Sequence, residues 1–180
     1  MVKCVVGSWG SYLSYNSRSL GSSWLDFSKF KSSDDLREEL ISQGFRLDGV
    51  DEELFIQDIE GLPDCFNCDY MHPETLFKVL KAAGVLDCDY AYSVMLAFLE
   101  VRSWSDFVER VERWGSFWHD DIIIHEGASL EDVARDYFYD SYSKEVREVL
   151  ESLDWYIDFE GWGRANLDAE EYSGGIIEIY

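Results

Sequence analysis

The sequence has few basic residues and no long apolar run. Lysine and arginine number 15 against 37 aspartates and glutamates, so the formal net charge is −22. Proteins that neutralise nucleic-acid phosphates or dock on anionic lipid need clustered basic side chains. The balance therefore argues against both classes and favours a basic partner. No segment approaches the ~18 consecutive apolar residues of a membrane span, and the first residues lack the pattern of a secretory signal. We expect a cytoplasmic protein.

Cysteine, proline and histidine are also scarce, with 4, 2 and 3 residues. So few cysteines do not make a disulfide scaffold, and reduced thiols are expected. Hydrophobic residues are plentiful at 47% of the chain, and they include 7 Trp, 11 Tyr and 11 Phe. The chain can therefore bury a core and fold despite its charge. Self-repulsion at this charge weakens a compact state without helping the core, so we interpret the acidity as functional.

Charge and residue pattern predict an N-terminal α+β unit at residues 1–61. Residues 1–33 carry a net charge of +3, and residues 34–180 carry 36 acids against 11 bases, a net of −25. Alternating residues predict a strand at 3–8 and, after a Gly/Ser/Asn-rich connection, a second strand near 19–27. Ser33 and the acids after it predict the start of a helix that Gly44 ends. A further strand is predicted at 53–59.

The rest of the chain divides into a helical unit at 62–115 and a C-terminal α+β unit at 116–180. Both prolines fall within residues 61–73, which is typical of a boundary between units. Apolar spacing predicts the secondary structure, listed here in chain order: helices at 74–83 and 89–101, a helix that begins at Ser103 or Ser105 and ends at Gly115, a strand within 117–125, helices at 129–139 and 144–153, and a β-prone end at 175–180. The fold class is α+β, an elongated chain of three small units.

Two groups of residues could in principle hold a metal. One consists of Cys65, Cys68, His72 and Cys88; its spacing permits a Cys₃His zinc site, but a second pair of ligands at knuckle spacing is missing and the thiols lie beside acids. The other is His119 and His125 near Asp121, six residues apart on the expected strand. We predict that neither binds a metal, that there is no cofactor, and that the protein is not an enzyme.

The acidic residues of the predicted helices lie opposite the apolar faces. Their spacing of three and four residues gives rows of exposed carboxylates about 5–6 Å apart, comparable to the spacing of phosphates on a DNA strand. From Leu86 onward there are 23 acids and only 7 bases, so few local cations can neutralise them. Such rows would attract a groove that binds phosphates. The predicted DNA-mimicking surface comprises Asp34, Asp35, Glu38, Glu39, Asp106, Glu109, Glu112, Asp120, Asp121, Glu131, Asp132, Asp136, Glu145, Glu148 and Glu151.

Three segments, in order along the chain, resemble the ArdA antirestriction family. Residues 5–26 are similar to its first strands, with Tyr15-Asn16 and a Gly21-x-x-Trp24-Leu25-Asp26 pattern, and residues 53–60 resemble a later strand. The strongest match is residues 153–164, which resemble the antirestriction motif. Phe159 stands where the family prefers Tyr, Ala165-Asn166 replaces the Asp after the Arg, and the Cys65-x-x-Cys68 segment is not a family feature.

The resemblance implies a curved protein of three domains that imitates bent B-form DNA. It implies a competitive inhibitor of type I restriction-modification enzymes, bound at their specificity and methyltransferase subunits, that protects incoming mobile DNA and binds neither nucleic acid nor membrane itself. It also implies a homodimer formed through the motif. The residues assigned to that role are Trp155, Tyr156, Asp158, Phe159, Glu160, Trp162, Gly163 and Arg164, although Trp155 and Phe159 could equally fill the unit's own core.

Two other functions are compatible with the sequence. An acidic antagonist of another basic DNA-binding protein would follow the same charge logic with a different target. A small metal-dependent hydrolase would use one of the two Cys/His groups, and bound zinc would favour it.

Overall fold

The computed structural model describes residues 1–14, 20–64, 66 and 71–180. Its first sheet has the strand order β2-β1-β3, with both outer strands antiparallel to the central one. The elements of this N-terminal part are β1 (Lys3–Ser8), α1 (Trp9–Ser14), β2 (Leu25–Asp26), α2 (Ser33–Ser42) and β3 (Leu54–Glu60). The register of β1 and β3 shifts between Val5 and Val6. α2 starts after Ser32, whose hydroxyl accepts the Asp35 N–H at 3.2 Å.

Three helices follow: α3 (Pro73–Ala82), α4 (Asp89–Val101) and α5 (Trp104–Trp114), of which α3 packs against β3. Two of them begin at residues whose local chemistry suits a helix start: Pro73 occupies the first turn of α3, and Ser103 with Asp106 forms a reciprocal capping box on α5. Trp118, fully buried, follows α5; its indole N–H donates to the Ala83 carbonyl at 3.0 Å and its ring meets Phe107 edge-on. This tryptophan therefore fixes the end of α5 against α3.

The C-terminal part contains the second sheet, with the strand order β4-β6-β5, and three helices. Its elements are β4 (Ile122–Glu126), α6 (Leu130–Asp140), α7 (Lys144–Glu151), α8 (Phe159–Asn166), β5 (Ala169–Tyr172) and β6 (Gly175–Ile179). α8 packs closely on α6, since a Cβ added at Gly163 would lie 2.7 Å from the Ala134 Cβ. The two small sheets with helices between them confirm the α+β class.

The main hydrophobic core is continuous from the first sheet to the second. Buried side chains run from Val6 through Leu80 and Phe98 and reach Ile122 and Ile177 of the second sheet. Two smaller clusters lie beside α6, one with Ile176 and one with Phe159. The proposed division at residues 61 and 115 thus separates segments whose apolar side chains share one core, and the division itself stays a prediction.

Polar links reinforce the contact between α4 and the second sheet. Arg102 donates to both carboxylate oxygens of Glu170, with Nη1 to Oε2 at 2.7 Å. Glu100 accepts the backbone N–H and the hydroxyl of Ser173, each at 2.7 Å. Charge-assisted bonds with two contacts fix direction as well as distance. The C-terminal sheet is therefore held in one orientation against the central helices.

The structure differs from the sequence prediction in several places. Residues 9–14 form α1 where a connection was expected, and the second strand, predicted near 19–27, is only Leu25–Asp26. Residues 15–19, which include the first residue of that predicted strand, lie outside the described part. The cap of α2 is Ser32 and not Ser33, because Ser32 has the extended backbone that a cap needs. Strand β4 begins at Ile122, since residues 115–121 form turns.

Candidate interaction surface

The carboxylates of the predicted acidic surface lie at the protein surface. Those of α5, α6 and α7 and of the turn before β4 are exposed, as are Asp34 and Glu38, while Asp35 and Glu39 are partly exposed. On α7 the three glutamates recur at spacings of three and all are exposed. The acidic side chains are thus accessible to a partner, and their role as an imitation of DNA stays a prediction.

Few of these carboxylates are neutralised by a cation. Within residues 1–14, 20–64, 66 and 71–180, the ion pairs that involve them are Asp121 with Arg110 at 3.4 Å, Glu131 and Asp132 with Arg135, and Asp120 with His119 at 3.6 Å. The other carboxylates of the set make no ion pair in that part of the chain. The described structure thus preserves the charge excess that the composition indicated.

Hydrogen bonds at helix starts keep several of these acids ionised. The Ser103 hydroxyl and then its backbone N–H lower the pKa of Asp106, and Ser129 does the same for Asp132. The Lys31 N–H, followed by the Ser32 hydroxyl, lowers the pKa of Asp35. Backbone and side-chain hydrogen bonds also lower the pKa of Glu145. These donors favour the charged form, so the caps that start the helices extend the negative charge of these side chains to lower pH.

The segment that resembles the antirestriction motif divides into buried and exposed residues. Phe159 is 1% exposed and packs with Tyr139 and Ala134, whereas Trp155 is 96% and Tyr156 87% exposed. The sequence left open whether Trp155 and Phe159 were core or contact residues; in this chain Phe159 fills the core and Trp155 does not.

The remaining motif residues shape α8. Asp158 caps it by accepting the Gly161 N–H at 2.9 Å, and Glu160 pairs with Arg164 one turn later at 2.5 Å. Trp162 packs partly buried against the Phe159 cluster, and Gly163 permits the close contact with α6. Most of the motif therefore supports the fold of this unit, while the turn at 154–156 presents its rings to solvent.

That turn is held in place by α6. The Tyr139 hydroxyl donates to Asp154 at 2.7 Å, and burial together with this bond raises the pKa of Tyr139 to about 12. The Arg135 guanidinium lies 4.8 Å from the centre of the Phe159 ring and 3.7 Å from Asp154. These contacts hold the backbone of the turn that carries Trp155 and Tyr156.

Exposed apolar side chains occur on the turn and also on α7. None of the α7 residues is buried, although the helix is amphipathic, and Val146 and Val149 are 44% and 62% exposed. We call these two residues and the exposed Leu153, Trp155 and Tyr156 that follow them in the chain the α7–motif surface. Large apolar side chains left exposed are candidates for a contact site. The sequence predicted α7, but its spacing could not show that tertiary packing leaves the apolar face uncovered.

The residues considered for metal binding are not brought together in the described structure. His119 lies in a turn before β4 and His125 within β4, so they do not share a strand as expected. His72 instead caps α3, its Nδ1 accepting the Glu74 N–H at 3.3 Å. Cys88 is exposed, and Cys65 and Cys68 lie outside the described residues. Among the described residues no group of three metal-ligating side chains occurs.

Sequence reasoning missed a buried polar network in the second sheet. Glu178 is fully buried; its carboxylate meets His125 Nε2 at 2.7 Å and accepts the hydroxyls of Tyr137 at 3.0 Å and Tyr180 at 2.7 Å. The bond to Glu178 raises the pKa of Tyr180, and burial raises the pKa of Tyr137. A buried carboxyl group needs hydrogen-bond partners, and Glu178 has three. The network joins β4, α6 and β6.

One protein-family model matches nearly the whole chain. The model of the family described as antirestriction protein (ArdA) matches residues 6–178. The chain belongs to this family. The match covers both sheets, the acidic helices and the motif segment, and membership assigns an antirestriction function directed at restriction-modification enzymes. No curated protein matches the chain. None of the helices in the described ranges is long and apolar enough to cross a membrane.

Proposed function

We propose that this protein blocks type I restriction-modification enzymes by occupying their DNA-binding site as an imitation of DNA, without catalysing a reaction. The observation that carries the proposal is the display of helical carboxylates that are exposed and mostly lack an ion pair in the described chain. A groove built to bind phosphates attracts such rows over long range. The competitor would act in the cytoplasm and protect incoming mobile DNA.

The proposed active form is a homodimer joined through the α7–motif surface. Trp155 and Tyr156 offer rigid aromatic area of the kind enriched in interfaces. Two chains of charge −22 carry −44. At one charge per ~1.7 Å of duplex, that corresponds to roughly 75 Å, or about 22 base pairs, if all of it were displayed at DNA density. An elongated, curved dimer of three-unit chains would present a large part of it.

The type I target is the specific part of the proposal, because an acidic antagonist of another basic DNA-binding protein would use the same carboxylates. Parallel cleavage assays with a type I and a type II restriction enzyme separate the two. We expect the protein to abolish cleavage by the type I enzyme at stoichiometric amounts and to leave the type II enzyme active. Equal inhibition of both, or of neither, would contradict the proposal. Zinc analysis of the purified protein is a second check, since stoichiometric zinc would support the hydrolase alternative.

A further inference from the structure

Two large aromatic side chains protrude from the acidic surface at the C-terminal end of α5. Trp114 is 49% and Phe117 67% exposed, whereas Trp118 directly after them is fully buried. Gly115, at φ +59, turns the chain out of the helix into the 3₁₀ turn Gly115–Phe117. A side chain other than glycine rarely adopts this conformation. The turn therefore directs one ring of the segment into the core and leaves the other two at the surface.

These rings lie among carboxylates of the predicted surface. Glu109 and Trp114 line the same groove of about 320 Å³, together with Asp106 and three arginines. Of these, Arg102 is paired with Glu170 and Arg110 with Asp121. Asp120 belongs to the turn that holds Phe117, since its N–H donates to the Phe117 carbonyl at 3.1 Å. Asp121 lies against α5 through its contact with Arg110 at 3.4 Å. Trp114 and Phe117 therefore lie between the acidic residues of α5 and the acidic residues of the turn before β4.

The chain itself shows that one of these rings accepts a guanidinium group. The Arg113 Cζ lies 5.0 Å from the centre of the Trp114 ring, a distance at which a cation is attracted by the ring face. Within the described ranges Arg113 has no carboxylate within ion-pair distance, so the indole is the cation's observed partner. An arginine of a binding partner would meet the same chemistry, with Glu109 and Asp120 close by.

We propose that Trp114 and Phe117 form an aromatic anchor that binds arginine or lysine side chains of the target's DNA-binding surface. This inference rests on the proposed function and adds a feature that DNA phosphates alone do not supply. Contacts made by exposed carboxylates weaken steeply with added salt. Apolar contact with an aromatic ring, and cation–π attraction at a ring from which water is excluded, change little with the salt concentration. The anchor should therefore contribute affinity that persists when the electrostatic part is screened. Buried aromatic anchors commonly dominate protein interfaces.

The test is the dissociation constant for a purified type I methyltransferase–specificity complex, measured over a series of salt concentrations. Trp114→Ala combined with Phe117→Ala should weaken binding at least about tenfold at every salt concentration, with the slope of log K against log salt unchanged. Glu109→Gln combined with Glu112→Gln should instead reduce the slope, so that its affinity approaches wild type at high salt. Trp24→Ala removes an aromatic of similar exposure, 44%, from the first unit and should bind as wild type.

The outcomes separate the anchor from the function on which it rests. If the aromatic double variant binds like wild type across the series, or if Trp24→Ala loses as much affinity, the anchor is refuted while salt-dependent wild-type binding still supports DNA mimicry. If the wild-type protein does not bind the complex, the proposed function fails. Unfolding midpoints of all variants should match wild type, because the removed side chains are exposed; a lowered midpoint for the aromatic variant would contradict their placement at the surface.

Discussion

Two aromatic residues of the motif, Phe159 and Trp155, should respond in opposite ways to truncation. Phe159 is 1% exposed and packs between Tyr139 and Phe138, with Arg135 4.8 Å from its ring. Removing a buried phenylalanine side chain costs about 3–5 kcal/mol, and the lost cation–π contact adds about 0.5–1 kcal/mol. A total of about 3.5–6 kcal/mol is a large part of the ~5–15 kcal/mol that stabilises a typical protein.

Trp155 is 96% exposed, so Trp155→Ala should change the unfolding free energy of the single chain by less than about 0.5 kcal/mol. It should instead weaken self-association, because the side chain is the most exposed large aromatic of the α7–motif surface. Urea unfolding at low protein concentration measures the first effect, and sedimentation across a concentration series measures the second. Low concentration matters because dimerisation adds apparent stability.

Phe159→Ala and Trp155→Ala test separate assignments, one to the core and one to the dimer surface. If Phe159→Ala lowers the unfolding free energy by less than about 1 kcal/mol, the ring is not a core residue and the assignment of this motif is wrong. If Trp155→Ala is as stable as wild type but remains dimeric at low concentration, the proposed dimer surface is wrong. Phe159→Leu should recover much of the lost stability, because it restores most of the buried apolar volume.

Three further predictions concern single contacts. Gly163→Val should destabilise the C-terminal part by about 1–3 kcal/mol in urea unfolding, since even a Cβ would lie 2.7 Å from Ala134; an unchanged midpoint would mean that α8 and α6 are further apart. Glu178→Ala should cost about 1–3 kcal/mol, because it leaves three side chains without their shared acceptor, and a neutral result would contradict the network. Ser103→Ala should cost about 1 kcal/mol at pH 7. The pKa of Asp106 is lower in the folded than in the unfolded chain, so its ionised carboxylate stabilises the folded state at pH values above the unfolded pKa of about 4. This stabilisation is lost as the pH falls through the folded-state pKa. The difference in unfolding free energy between wild type and Asp106→Asn should therefore shrink when stability is measured at decreasing pH.

Regular elements with local signals were predicted well from the sequence. The helix at Asp89–Val101 was predicted with its observed bounds, and the cap at Ser129 was recognised because a hydroxyl followed by an acid at the third position has a local physical meaning. Ser103 was one of the two serines predicted to begin α5, and the structure selects it. The central strand Lys3–Ser8 was also predicted, since Lys3 to Val6 alternate between partly and fully buried positions.

Features decided by tertiary contact were not predictable. α8 contains two glycines, which disfavour a helix by propensity, yet Gly163 is needed there for close packing on Ala134. The Glu178 network joins β6 to residues more than 40 positions away in the sequence, so no local sequence pattern predicts it. Likewise the composition of residues 153–164 could not show that Phe159 points into the core while Trp155 points outward.

For the acidic surface, the sequence predicted which residues are charged and which helix face they occupy. It could not show which are neutralised, because the partner of Asp121 is Arg110 on a different element. Nor could it show that Trp114 and Phe117 stand among them, since an aromatic at helical spacing is ordinarily a core residue.

Competition with duplex DNA for one type I enzyme tests the central claim most directly. Binding of the protein to the methyltransferase–specificity complex should be mutually exclusive with a duplex that carries the recognition site, and its affinity should fall linearly in log K against log salt, as for a polyanion. A ternary complex of enzyme, duplex and protein, or an affinity that does not change with salt, would show that the carboxylate rows do not take the place of DNA phosphates.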